Sequence, residues 1–193
     1  MARLRSQYEG RFMITSFYEL KKTLQYEKKL YPNKLYDYLT SNQRVYNWRF
    51  IRALRWAEYF HNTSTSPLFR ILYLIAVRKK SRIGVKIGVE IDINTFDKGL
   101  LIHHNGSIVI SNGARIGKNC QLHGDNCIGN KGQSHDGACA TIGDNVDIGV
   151  GAKVIGPVKI ADDIKIGANA VVVDSFTTPG ITLVGVPAKP VVH

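Results

Sequence analysis

Between Glu90 and His135 the sequence gathers the side chains that move protons. The stretch holds Glu90 and Asp92, the pair His103-His104 followed by Asn105-Gly106, then His123-Gly124-Asp125-Asn126. A loop, Gly129-Asn130-Lys131-Gly132-Gln133-Ser134-His135, completes it. Four of the six histidines of the chain lie here. A neutral imidazole, with an ordinary pKa of ~6.5, can take a proton from a hydroxyl near pH 7. A carboxylate on its other ring nitrogen fixes the tautomer and stabilises the imidazolium that forms. The cysteines Cys120, Cys127 and Cys139 are spaced too widely for a structural zinc site and read as reduced thiols of a cytosolic protein. Cys120 occupies a slot filled elsewhere by Ala114, Val146, Ala152 and Ala170, which makes it a small core residue.

What must position these groups is a repeat. Aliphatic residues recur every six positions at Ile110, Ile116, Leu122 and Ile128, and again at Ile142, Ile148, Val154, Ile160, Ile166 and Val172. Six is neither the helical period nor plain strand alternation; a short fixed period over this length signals a solenoid. Glycine, asparagine and aspartate recur beside the aliphatic residues, as tight corners with φ > 0 require. The repeat starts loosely at Val85, breaks between Asn94 and Gly106, and is interrupted once more between Ile128 and Ile142. A loop is therefore expected around Lys131 to Ala138.

The front of the chain is different in kind. Residues 1–86 hold 18 Lys and Arg against 5 Asp and Glu, whereas residues 87–193 hold 8 against 10, so the net charge of +11 resides in the front. Residues 1–12 lack an apolar run, are expected to be a disordered lead, and do not read as a secretory signal. Helices are expected over Ser16–Lys29, Lys34–Leu39, Asn42–His61 and Leu68–Lys80, giving a helical region at 13–82 and a β domain at 83–193. The helix from Leu68 is too short to cross a bilayer, which takes ~20 apolar residues. It is expected to cap the solenoid or pack between subunits, or else to make a peripheral membrane contact through its basic flank. No aromatic-glycine or zinc-finger motif points to nucleic acid.

The Ile-Gly-x-x-Ala/Val-x run resembles the hexapeptide-repeat acyltransferases. Gly88-Val89-Glu90-Ile91, Lys98-Gly99-Leu100, His104-Asn105-Gly106-Ser107-Ile108-Val109-Ile110, Gly129-Asn130-Lys131-Gly132 and Gly185-Val186-Pro187-Ala188-Lys189 are similar to the serine acetyltransferase branch, which includes polysaccharide O-acetyltransferases. The resemblance implies a mainly β chain, a left-handed parallel β-helix with an α-helical N-terminal region, working as a cytoplasmic homotrimer on acetyl-CoA. It implies His104 as the base, Glu90 or Asp92 as the acid that orients it, and His135 as a second active-site histidine. For coenzyme A it implies main chain at Gly129, Gly132, Val150 and Ala168, with Lys189 meeting phosphate. His103, Asn105, His123 and Asp125 are expected to line the acceptor side.

The acceptor is where the chain departs from the branch. Serine acetyltransferases carry an aspartate just before the catalytic histidine, where it can engage the amino group of serine; this chain has His103. That departure favours a sugar hydroxyl of a surface polysaccharide as acceptor, with serine O-acetylation in cysteine biosynthesis and a non-catalytic scaffold as alternatives. A zinc hydratase on the same β-helix would need a pair of histidines five apart. After His104 come His123 and His135, so no metal is expected.

Overall fold

The computed structural model describes residues 13–63, 66–132 and 138–191. The proposed lead, 1–12, and His135 lie outside the described residues. The helical front comprises α1 (Phe17–Leu30), α2 (Leu35–Leu39), α3 (Gln43–Asn62) and α4 (Pro67–Ile87). Local chemistry sets their starts. Ser16 and Glu19 close a capping box on α1, Asn42 accepts from Arg44 N on α3, and Ser66 caps α4 with Pro67 in its first turn. α4 runs to Ile87, seven residues past the expected end at Lys80. The Val85-Lys86-Ile87 segment, read from sequence as the first turn of the repeat, is helical. Gly88, at φ +69°, ends the helix in the left-handed conformation. A Cβ on Gly84 would lie 2.4 Å from Val89 O, so glycine lets the last turn of α4 touch the first strand.

From Val89 the chain winds through five coils of a three-sided, left-handed parallel β-helix. One sheet contains β1 (Val89–Ile91), β3 (Ile108–Ile110), β6 (Cys127–Gly129), β9 (Lys153–Ile155) and β12 (Val171–Val172). A second contains β4 (Arg115–Ile116), β7 (Thr141–Ile142) and β10 (Lys159–Ile160), extended at its two ends by Phe96 and Phe176. The third contains β2 (Leu101–Ile102), β5 (Gln121–Leu122), β8 (Asp147–Ile148), β11 (Lys165–Ile166) and β13 (Thr182–Val184). β14 (Lys189–Pro190) is added to it antiparallel.

Register stacks the interior in columns. Ile91, Ile110, Ile128, Val154 and Val172 form one; Phe96, Ile116, Ile142, Ile160 and Phe176 a second; Ile102, Leu122, Ile148, Ile166 and Leu183 a third. The break expected between Asn94 and Gly106 is therefore a change of side chain and of spacing within a winding that continues. Phe96 replaces an aliphatic residue, and the corner from His103 to Ser107 is two residues longer than the repeat. Corners at Asn119, Asn145 and Asp163 have φ near +60°, which short polar side chains tolerate. Asn119 Nδ2 donates to Asn145 Oδ1 and Asn145 Nδ2 to Asp163 Oδ1, both at 3.0 Å, so the same residues bind the stack together.

The helices close the first coil with polar side chains. Tyr31 Oη accepts from Ile102 N and donates to Leu100 O, Asn47 Nδ2 donates to Ile102 O, and Lys80 Nζ donates to Ile91 O. Arg55 is wholly buried; it donates to Glu27, Glu58 and the carbonyl oxygens of Phe96 and Asp97. Glu27 and Glu58 in turn accept from the main-chain nitrogens of Gly99 and Asn94. Strand edges that would lack partners are thus satisfied from α1, α3 and α4.

Candidate active site

His104 sits at the lengthened corner after β2, exposed to solvent. Its Nδ1 lies 3.3 Å from Gln43 Nε2, at the start of α3, and the same amide nitrogen is 3.4 Å from His103 O. An amide that donates to both leaves Nδ1 as an acceptor and the ring hydrogen on Nε2. Asn105, next in the corner, has a buried Oδ1 without a hydrogen-bond partner.

Register brings the next two coils under this corner. Gln121 and Asp147 face outward, one residue before inward Leu122 and Ile148. His123 stacks flat on His103, with ring centroids 4.3 Å apart and planes 13° apart. His103 Nε2 is 2.9 Å from Gln121 Oε1, and His123 Nε2 is 2.8 Å from Asp147 Oδ1. Each imidazole thus has one nitrogen occupied by an oxygen acceptor and the other available to a ligand. His104 and His123 share a groove of about 480 Å³ with Asp147, Val150, Lys165, Ala168 and Thr182. Two of the expected coenzyme A positions, Val150 and Ala168, therefore lie beside the expected base.

The other expected residues go elsewhere. Glu90 projects from β1 opposite Val109 and lines a different groove, of about 440 Å³, with Lys80, Asp92 and Ser107. Asp92 Oδ1 is 4.0 Å from Lys80 Nζ. Among the described residues neither carboxylate hydrogen-bonds to His104, because β1 belongs to the first sheet and His104 to the corner leaving the third. Gln43 holds that nitrogen instead. Asp125 is a corner residue at φ +52° whose Oδ1 accepts from Ser107 N at 2.9 Å, so its carboxylate stitches two coils together. Gly129 ends β6 in the first sheet, Gly132 lies in the turn beyond it, and Lys189 is on β14; none lines the His104 groove.

Sequence reading missed Gln43, Gln121, Asp147 and Lys165. For the last three the signal was available: the residue before each inward aliphatic of one column faces out in register with its counterparts. Gln43 had no such signal, since the contact spans the helical front and the β-helix. Cys120 is fully buried, and burial pushes its thiol pKa up, so it is a core residue and not a nucleophile.

No family model matches the chain. It is 35% identical over 131 residues to serine acetyltransferase from Helicobacter pylori, covering 68% of each chain. It is 40% identical over 90 residues to the Mycobacterium tuberculosis serine acetyltransferase, covering 47% of this chain and 39% of that one. Among solved structures, soybean serine acetyltransferase complexed with serine superposes with a TM-score of 0.67 at 26% identity, covering 89% of this chain and 69% of that one. These likenesses overturn the expectation of a polysaccharide acceptor. His103 is a departure at one position, whereas the likeness to serine acetyltransferase extends over 131 residues of sequence and 89% of the chain in structure.

Proposed function

The chain belongs to the serine acetyltransferase family, and from that premise we propose that it transfers the acetyl group of acetyl-CoA to the hydroxyl of serine with His104 as base. The observation that carries this reading is the shared groove, lined by His104 together with Val150 and Ala168.

In the proposed reaction the serine hydroxyl oxygen attacks the thioester carbonyl while His104 takes its proton. The tetrahedral oxyanion collapses, the carbon–sulfur bond breaks, and the imidazolium returns the proton to the leaving thiolate. O-acetylserine and free coenzyme A result. A neutral His104 has one lone pair. With Gln43 donating to Nδ1 that pair is occupied, so abstraction through Nε2 needs the ring hydrogen on Nδ1 and an acceptor for it. Rotation of the Gln43 amide presents Oε1 in that place, an arrangement a side-chain amide can adopt and a lysine cannot. Asp147 holds the His123 hydrogen on Nε2 and leaves Nδ1 free to accept from the ammonium or hydroxyl of the acceptor.

The remaining cofactor residues support a trimer. Val150 and Ala168 follow strands of the third sheet, whereas Gly129 ends a strand of the first, so one prism presents them on different sides. A neighbouring protomer that brings its own Gly129 and Gly132 against the His104 groove completes the set.

The test is release of coenzyme A thiol by the full chain with acetyl-CoA and L-serine. The expected result is serine-dependent release that His104→Ala lowers by roughly 10² to 10⁴-fold. Release unchanged in that variant, or the absence of serine-dependent release from the wild-type chain, refutes the assignment.

A further inference from the structure

α4 presents two faces. Ala76, Lys80, Gly84 and Ile87, spaced four, four and three, are buried. The opposite face is open, and its character changes along its length. Its first half exposes Leu68, Ile71, Leu74 and Ile75, each between 55 and 64% accessible. Its second half turns Arg78, Lys79 and Arg82 to the same side. Across the 21 residues of the helix there are six Lys and Arg and no Asp or Glu.

Arg49 and Arg52 of α3 join Arg78, Lys79 and Arg82 around a groove of about 620 Å³ with Ile75 and Ile83 in its wall. Among the described residues none of these five cations has an acidic partner. Four large aliphatic side chains clustered in water beside five cations without an acidic partner form the kind of patch that marks an interaction surface, one suited to a partner both apolar and anionic. Among the described residues no helix is long and apolar enough to cross a membrane, so the face suits contact along a surface and not insertion through it.

We propose that this face of α3 and α4 docks on the surface of an anionic lipid bilayer. Leu68, Ile71, Leu74 and Ile75 enter the level between head groups and acyl chains, and the five cations meet lipid phosphates. Charge complementarity selects this occupant. A second copy seated on the groove two-fold would set five cations against five, whereas lipid phosphates would neutralise them beside the apolar half of the helix. The proposal is independent of the acceptor, since none of these residues lines the His104 groove.

Cosedimentation of the full chain with vesicles tests it, using phosphatidylcholine alone and phosphatidylcholine with a quarter phosphatidylglycerol. Binding is expected to the mixed vesicles in 0.1 M NaCl. Each surface cation contributes roughly fivefold in partition, so Arg78→Glu/Arg82→Glu weakens binding by at least about tenfold, as does 0.5 M NaCl. Leu74→Ser/Ile75→Ser has a comparable effect through lost apolar burial. Both double variants keep wild-type coenzyme A release with serine, because their side chains are exposed and remote from the site. Failure to bind mixed vesicles overturns the proposal. So does equal capture of heparin with no loss in Leu74→Ser/Ile75→Ser, which makes the face a general polyanion site. A fall in light-scattering mass in that variant, without vesicle binding by the wild type, assigns the face to a second copy.

Discussion

Replacing Arg55 by methionine tests whether the helical front is locked to the β-helix by one buried charge. The guanidinium is fully buried and makes bonds to both oxygens of Glu27, to Glu58 Oε2 and to the carbonyl oxygens of Phe96 and Asp97, at 2.7 to 3.1 Å. Its removal strands two carboxylates and two carbonyls in the interior. Each carboxylate keeps one donor, Gly99 N for Glu27 and Asn94 N for Glu58. Removing one partner of a buried ion pair costs about 3–5 kcal/mol, which for a domain of this size lowers Tm by about 6–20 °C. The loss depends on pH. Burial already raises the Glu58 pKa, with Arg55 acting against that, and without Arg55 it rises further. A carboxyl whose folded pKa is raised contributes stability that is present at low pH and lost as pH climbs through the folded pKa. Above the ordinary carboxylate range, and until the pH passes the raised folded pKa, the folded variant therefore binds a proton the unfolded chain does not. Its deficit shrinks on acidification by up to about 1.4 kcal/mol per pH unit. Unfolding followed by circular dichroism at pH 5, 6 and 7, wild type against Arg55→Met, measures both effects. Arg55→Met with Glu58→Gln recovers part of the loss at pH 7. A variant within about 1 kcal/mol of wild type, or a deficit flat with pH, refutes the reasoning.

Two further expectations concern the β-helix. Gly149→Ala places a Cβ 2.7 Å from Ala168 N and 2.8 Å from Ile166 O, so neighbouring coils must part beside the His104 groove. A stability loss of about 1–3 kcal/mol is expected, read by chemical denaturation, together with a raised KM for acetyl-CoA. Cys120 is buried with a raised thiol pKa, whereas Cys127 and Cys139 are partly exposed. A thiol-specific chromophore should titrate no more than two thiols in the folded chain and the third only after denaturation.

The sequence made the prism legible and the contacts across it less so. Ten aliphatic residues at spacing six lie in the interior, and Asn119, Asn145 and Asp163 adopt the corner conformation that short polar side chains permit. Where the spacing faltered, reading failed for definite reasons. Phe96 fills an aliphatic slot, and Val85-Lys86-Ile87 carries the right residue types but continues α4 until Gly88 stops it. The groove was half legible. His104, His123, Val150 and Ala168 converge because register is periodic. Gln43 reaches His104 from 61 residues away, and Glu90 and Asp92 face another groove; both depend on how helices seat on coils, which no local pattern encodes. The acceptor was misjudged from a single position, His103, whose ring is stacked on His123 and bonded to Gln121.

The two ends of the prism are finished by different means, and this bears on how the molecule avoids becoming a fibre. A parallel coil offers the same row of amides and carbonyls at its bottom that the next coil uses at its top, so a bare end is a template for another molecule. Tyr31, Asn47, Arg55 and Lys80 answer that row at one end, and the reversed strand at Lys189–Pro190 answers it at the other. The helical front therefore serves as a chain terminator. A prism stripped of it would bare one end while the reversed strand still covers the other, so the pairing of two bared ends, not loss of the coil itself, would be the mark of its removal.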